Sequence, residues 1–356
     1  MKNFYILFLL AVLFINCSSD EDKPEDVAAE TMYFPPMEGT SWETIPVSDL
    51  NWNLNELPAL LDYLEEKNTK GFIILVNGRI ALENYFNGHT ETSTWYWASA
   101  GKTLTTATLG IAQEEKLLNI NHKVSDYLGT GWTSAPLSKE NLITNRHLLC
   151  MTSGLDDALG DGNKPADLQY KADAGTRWAY HNVFEKLQDV IAKAGNQTFV
   201  SYFNMKLRDR IGMTGAWIES GEFNVYWSTT RSMARFGLLS LNEGKWDKDQ
   251  IIPAAYLNEA THTSQTLNNA YGYLWWLNGK SSYRLPQTQL QFQGSLIPDA
   301  PNDMFCALGK NDQKIYVIPG KKMVIIRMGE AATGENFALS GFDNELWKKI
   351  NAVIQE

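Results

Sequence analysis

Strand-forming segments lie toward both ends of this chain and helix-forming ones lie between them, and that order restricts the folds open to it. Gly71-Phe-Ile-Ile-Leu-Val-Asn-Gly78 runs into Arg79-Ile-Ala-Leu-Glu-Asn-Tyr85. It reads as a β-hairpin turning on Asn77-Gly78, a pair that readily takes the left-handed backbone of a tight turn. A second hairpin is expected over 314–319 and 322–327, turning on Gly320, with further strands over 271–276 and 304–308. Helices are expected over 57–67, 97–118, 229–241 and 342–354, the third ended by Asn242-Glu243-Gly244, and a loop-rich region with short helices over 120–215. The expected class is α+β. An antiparallel sheet is completed by both terminal regions, flanked by helices, and carries an inserted, mainly helical domain. The α/β part would hold residues 46–118 and 265–356 and the helical part 119–264, with a ligand cleft where they meet.

Ser99-Ala100-Gly101-Lys102 opens the helix expected at 97. With ~3.6 residues per turn, positions i and i+3 share a helix face. The Lys102 amine can therefore reach the Ser99 hydroxyl. A serine alcohol is a poor nucleophile until a base takes its proton. Lys102 serves as that base only when neutral, a state that burial or nearby positive charge favours. Backbone N–H groups at a helix start suit an oxyanion. By itself the tetrad also fits an N-cap serine followed by a solvated lysine.

Tyr180-His181-Asn182 lies well downstream. A phenol beside an amine can share its proton, and Asn182 offers an amide to Lys102 or to a substrate carbonyl. Other polar residues read more simply. His181 is expected to be structural, Ser153-Gly154 a turn, and Asp156-Asp157 a solvated loop, because adjacent side chains point apart. Trp275 and Trp276 alternate across a strand, so one should enter the core and the other wall the cleft.

The formal net charge of −10 argues against nucleic acid as a partner. The five histidines lack metal-ligand spacing, and no Gly-rich phosphate cradle occurs, so no metal or cofactor is expected. Of three cysteines, Cys150 and Cys306 are expected as buried free thiols.

The N-terminus carries a short, weakly basic start, Met1-Lys2-Asn3, an apolar run from Phe4 to Ile15, then Asn16-Cys17-Ser-Ser-Asp-Glu-Asp22. It resembles a bacterial lipoprotein signal, with residues 1–16 removed and Cys17 lipidated. Asn16 and Phe14 depart from the usual residues there. The acidic run resembles the tag that sends such proteins to the surface in the Bacteroidetes. The resemblance implies a lipid anchor in the outer membrane, on its periplasmic or outer side. A flexible tether is expected over 17–45, followed by one domain over 46–356.

Taken in order, Ser99-x-x-Lys102, Tyr180-x-Asn182 and a late strand ending in glycine resemble the penicillin-recognising serine hydrolases. That group includes class C β-lactamases, D-Ala-D-Ala carboxypeptidases, esterases and 6-aminohexanoate-dimer hydrolases. Supporting stretches at 71–85, 146–155, 211–214, 228–237 and 271–276 follow in the same order, so the resemblance covers roughly 55–353. It implies a β-lactamase/transpeptidase-like fold and acyl transfer through Ser99, with Lys102 and Tyr180 as the acid–base pair. The N–H groups of Ser99 and Lys310 would form the oxyanion hole, with Gly309 allowing close approach of substrate. The late strand departs from the pattern. Ala307-Leu308-Gly309 stands where a Lys-Thr-Gly or His-x-Gly sequence is usual, and Ala307 cannot hold a substrate carboxylate. An esterase or small-amide hydrolase acting on a small ester, amide or peptide-like substrate is therefore expected ahead of a β-lactamase or carboxypeptidase. A catalytically silent surface binding protein on the same scaffold is the rival reading.

Overall fold

Apart from Met1, the computed structural model describes residues 31–221, 223–334 and 338–355. The signal, Cys17 and the first part of the expected tether lie outside them. Strands β1 (Thr69–Val76) and β2 (Arg79–Tyr85) form the first hairpin. Its turn residues, Asn77 and Gly78, both take positive φ, 50° and 81°. Three short strands follow: β3 (Trp95–Tyr96), β4 (Ala216–Ser220) and β5 (Phe223–Ser228). The remaining strands of the main sheet are β6 (Trp276–Leu277), β7 (Phe305–Gly309), β8 (Gln313–Ile318) and β9 (Met323–Gly329). The main sheet is antiparallel in the order β2-β1-β9-β8-β7-β6. Both ends of the chain therefore meet at its centre, where β1 pairs with β9.

Strands β7, β8 and β9 are buried along their whole length, so both faces of the sheet are covered. On one face lie α1 (Leu57–Glu66) and α5 (Gly341–Ile354). Helix α5 starts on a Ser340/Asp343 capping box and buries Phe342, Leu346, Trp347, Ile350 and Val353 as one helical stripe. On the other face α4 (Thr230–Leu241) packs against β1, β8 and β9. Gly237 allows the close approach, since a Cβ there would sit 2.5 Å from Val324.

The structure moves three expected boundaries. Helix α4 was expected in the helical part, yet it covers the main sheet because its apolar residues need that face. Residues 32–45, expected as tether, pack on the first hairpin. The Tyr33 N–H donates to the Asn77 carbonyl, the Trp42 indole to Gly78, and the Ile45 N–H to Ile80. The compact unit accordingly runs from Met32 to the C-terminus, sheet and helical parts together. The strand expected over 271–276 is a tight turn, with Leu274 at a φ of 61° and the Gly272 N–H on the Trp275 carbonyl. Only Trp276 continues into β6. Trp275 and Trp276 are both buried, Trp275 stacking on Phe236, so neither walls a cleft as expected.

Among the described residues, no helix is long and apolar enough to cross a membrane, and no cluster of three potential metal ligands occurs.

Candidate active site

The chain turns sharply after β3. Ala98 takes a left-handed φ of 46°, an arrangement costing on the order of 1–2 kcal/mol for a residue with a Cβ. A 3-10 turn, Ala98–Gly101, carries Ser99 and leads into α2 (Lys102–Glu114). The expected single helix over 97–118 is thus a tight turn joined to a shorter α-helix. Threonine is a weak helix former, yet four lie in α2. Burial from Lys102 to Ala112 overrides propensity, and Thr103 and Thr108 return their hydroxyls to backbone carbonyls of the same segment.

Lys102, 4 % exposed, donates through Nζ to Ser99 Oγ at 2.9 Å. Its Nζ also lies 4.9 Å from the centroid of the Tyr180 ring and 4.3 Å from that of Phe184. The Tyr180 ring is stacked on Trp276 and meets Tyr271 edge-on. Those contacts fix the ring beside the lysine. Ser99, Lys102 and Tyr180 therefore converge although they come from distant parts of the sequence.

Gly309 closes β7 against the back of the serine turn. A Cβ there would lie 2.3 Å from the Trp97 carbonyl oxygen and 3.0 Å from the Ala100 nitrogen. The next residues form the β7–β8 turn, in which Asn311 and Asp312 both take a φ of 59°. Buried Arg327 holds this turn by donating to the carbonyls of Asn311 and Asp312. Asn311 Nδ2 donates to the Tyr96 hydroxyl at 2.6 Å. Lys310 is carried by the same turn.

A cavity of about 590 Å³ opens over this arrangement, with Ser99, Lys102, Asn182 and Lys310 in its lining. The three-stranded sheet β3-β5-β4 forms one wall, contributing Ile218, Phe223, Val225 and Trp227. Asn182 departs from one expectation. Its Nδ2 donates to the Asp161 carbonyl at 3.3 Å and not to Lys102, so it faces the cavity without orienting the lysine. His181 accepts the Val183 N–H and caps the turn Asn182–Glu185, and its burial lowers its pKa. Asp156 pairs with Lys171 and caps a 3-10 turn that begins at Asp157, which pairs with Arg177; the two aspartate side chains are 17 % and 6 % exposed, so the pair is not the solvated loop expected. Gly154 takes a φ of 78°, the expected turn. Cys150 and Cys306 are buried and free.

One functional candidate escaped sequence reasoning. Glu185 lines the cavity while only 8 % exposed. Burial pushes its carboxyl up to about 7, against weaker opposing effects of the Asn224 N–H, Lys102, Asn163 and Lys186. A second cavity, about 630 Å³, contains Ser240 and His262 but offers no such chemistry. Ser240 Oγ is spent on the Phe236 carbonyl, and His262 Nδ1 lies against the Asn258 carbonyl.

A model of the beta-lactamase family matches residues 65–343. The chain belongs to the beta-lactamase family. This match takes in both parts of the fold and every residue of the Ser99, Lys102 and Tyr180 convergence. An uncharacterized protein of Alkalihalophilus pseudofirmus is 24% identical over 294 residues, 71% of this chain and 81% of its own. A candidate 6-aminohexanoate-dimer hydrolase from Bacillus anthracis shares the fold at a TM-score of 0.68 and 19% identity, covering 90% of this chain and 88% of that one. EstCE1, a hydrolase with promiscuous acyltransferase activity, does so at 0.62 and 12% identity, over 86% and 99% of the two chains. Beta-lactamase family membership supports hydrolase activity for the chain.

Proposed function

We propose that the protein is a serine hydrolase that cleaves an ester or amide bond through an acyl-enzyme on Ser99. The observation that carries this reading is the 2.9 Å Lys102–Ser99 hydrogen bond at the floor of an open cavity. In the first step Ser99 Oγ attacks the substrate carbonyl and its proton passes to Lys102, coupled to Tyr180. The tetrahedral oxyanion is received by the N–H groups of Ser99 and Lys310. Lys102, with Tyr180 beside it, delivers the proton to the leaving oxygen or nitrogen. Water then attacks the acyl-enzyme, giving a proton to the same pair, which passes it to Ser99 Oγ as the acid leaves. Asn182 contacts substrate from the cavity wall.

Ala307 is buried on the strand beside the serine and presents no cation, which favours esters and small amides over β-lactams and D-Ala peptides. Acyl transfer is also an activity of EstCE1, which shares the fold. The protein works, in this proposal, on a lipid anchor at Cys17 in the bacterial outer membrane. Metabolic labelling with a palmitate analogue tests this, since Cys17→Ala should lose the label.

Rapid mixing with p-nitrophenyl acetate tests the chemistry. The expected record is a burst of nitrophenolate followed by slower turnover. Ser99→Ala should lose the burst and reduce turnover by about a thousandfold or more. Turnover at the wild-type rate by Ser99→Ala would refute the proposal.

A further inference from the structure

Glu185 ends the 3-10 turn Asn182–Glu185 and shares the cavity with Ser99 and Lys102. Its two oxygens are held in place by neutral donors alone. The Asn224 N–H donates to Oε1 at 3.1 Å and Asn163 Nδ2 to Oε2 at 2.7 Å. A further layer holds Asn224. Asn224 Nδ2 is fixed on Gln188 Oε1, and Gln188 Nε2 on Thr105 Oγ1 of α2. No Lys, Arg or His nitrogen among the described residues lies at ion-pair distance from this carboxylate.

The other buried carboxylates differ. Asp312 and Asp343 share Lys314 at 3.1 and 2.8 Å. Glu140 takes three donors, the Gly131 N–H on Oε1 and the Thr133 N–H and hydroxyl on Oε2. Glu185, with one protein donor on each oxygen and no ion-pair partner among the described residues, faces a cavity. A buried carboxylate in that state is costly, and a cation supplied from outside relieves the cost. Beside it the wall formed by Ile218, Phe223, Val225 and Trp227 suits an aliphatic stem.

We infer that Glu185 is a specificity-determining residue that receives a cationic group of the substrate, an ammonium on an aliphatic stem, while Ser99 attacks the carbonyl. This rests on the acyl-transfer reading for the position of the carbonyl, and not for the cation site itself. Burial that pushes the carboxyl up to about 7 agrees with a missing counter-ion. Glu219 and Asp161, also in the lining, add negative potential, which Lys186 and Lys310 oppose, as does Lys102 whenever it carries a proton.

The test is selectivity at pH 8, where Glu185 is ionised. p-Nitrophenyl alkanoates are compared with their ω-ammonium counterparts over a series of chain lengths. Wild type should prefer the ammonium ester in kcat/KM by about tenfold or more at the best length. Glu185→Gln keeps the size and the Asn224 contact and removes the charge, so the ratio should collapse toward one. A role confined to tying the 161–164 loop would lower both substrates together and leave the ratio intact. That result, or a wild-type ratio near one at every length, overturns the inference.

A titration of tryptophan fluorescence with n-hexylammonium and n-hexanol needs no turnover, since Trp227 lines the cavity. Wild type should bind the ammonium more tightly, and equal binding overturns the inference even if the variant fails to fold. A binding preference without turnover of any ester would reject the acyl-transfer reading and leave the role of Glu185 standing.

Discussion

Gly309→Ala is the most direct mechanical test of the site. Gly309 has no special φ, so the effect of a methyl group there is steric. The new Cβ would stand 2.3 Å from the Trp97 carbonyl oxygen, 3.0 Å from the Ala100 nitrogen and 3.1 Å from Gln313 Cβ. The first two atoms are backbone on either side of Ser99 and cannot swing away. Restoring an ordinary carbon–oxygen contact requires β7 and the serine turn to part by about 1 Å. Overpacking of this kind costs about 1–3 kcal/mol. A displacement of that size in an active site costs about a hundredfold in rate. Urea denaturation and p-nitrophenyl ester turnover measure the two effects separately. Gly341→Ala is the control, because nothing lies within 4 Å of a Cβ there. It should be neutral or slightly stabilising. If Gly309→Ala melted and turned over like wild type, the close packing of β7 on the serine turn would not set the catalytic geometry.

The buried charges give further outcomes. Glu185 has a folded pKa raised from 4.5 to about 7, so its protonated form favours the native state below about 4.5 and that benefit is lost as pH rises through about 7. Relative to Glu185→Gln, wild type should lose about 3 kcal/mol of stability between pH 4 and pH 8, read by urea titration. Parallel pH profiles would show that the carboxyl is not perturbed. Arg327→Met leaves the carbonyls of Lys67, Asn311, Asp312 and Glu330 and the Thr69 hydroxyl without their buried donor. It should cost about 3–5 kcal/mol. Stability within 1 kcal/mol of wild type would contradict that estimate. Burial pushes the Cys150 thiol up to about 11 and raises that of Cys306 further. A thiol reagent should therefore react slowly with both in the folded domain and quickly in denaturant. Fast labelling of the native protein would place one of them at the surface.

The α+β architecture and the Ser99–Lys102 contact were legible because each leaves a local signal. Asn77-Gly78 between alternating apolar residues specifies a hairpin, and Ser99-x-x-Lys102 specifies a shared face one turn apart. The later motifs were legible as a series, because Tyr180 gains meaning only after Ser99 and Lys102. The misreadings have physical causes. The 271–276 segment is rich in aromatics, the composition of a strand, but Leu274 in the left-handed region folds it into a turn. Residues 32–45 looked like tether because their polar sequence hides a few anchors, Tyr33, Trp42 and Ile45, whose partners are hairpin atoms far away in sequence. Glu185 left no signal at all. A glutamate before a lysine at a helix start reads as a solvated residue favoured by the dipole, and only the approach of Asn163 and Asn224 buries it in the cavity.

The central claim is that Ser99 is an activated nucleophile. Intact-mass analysis of the mature domain after treatment with a fluorophosphonate, wild type beside Ser99→Ala, tests it most directly. The account predicts one phosphonyl adduct on wild type and none on the variant. An adduct retained by Ser99→Ala, or a wild type unlabelled by even the smallest such reagent, would contradict it.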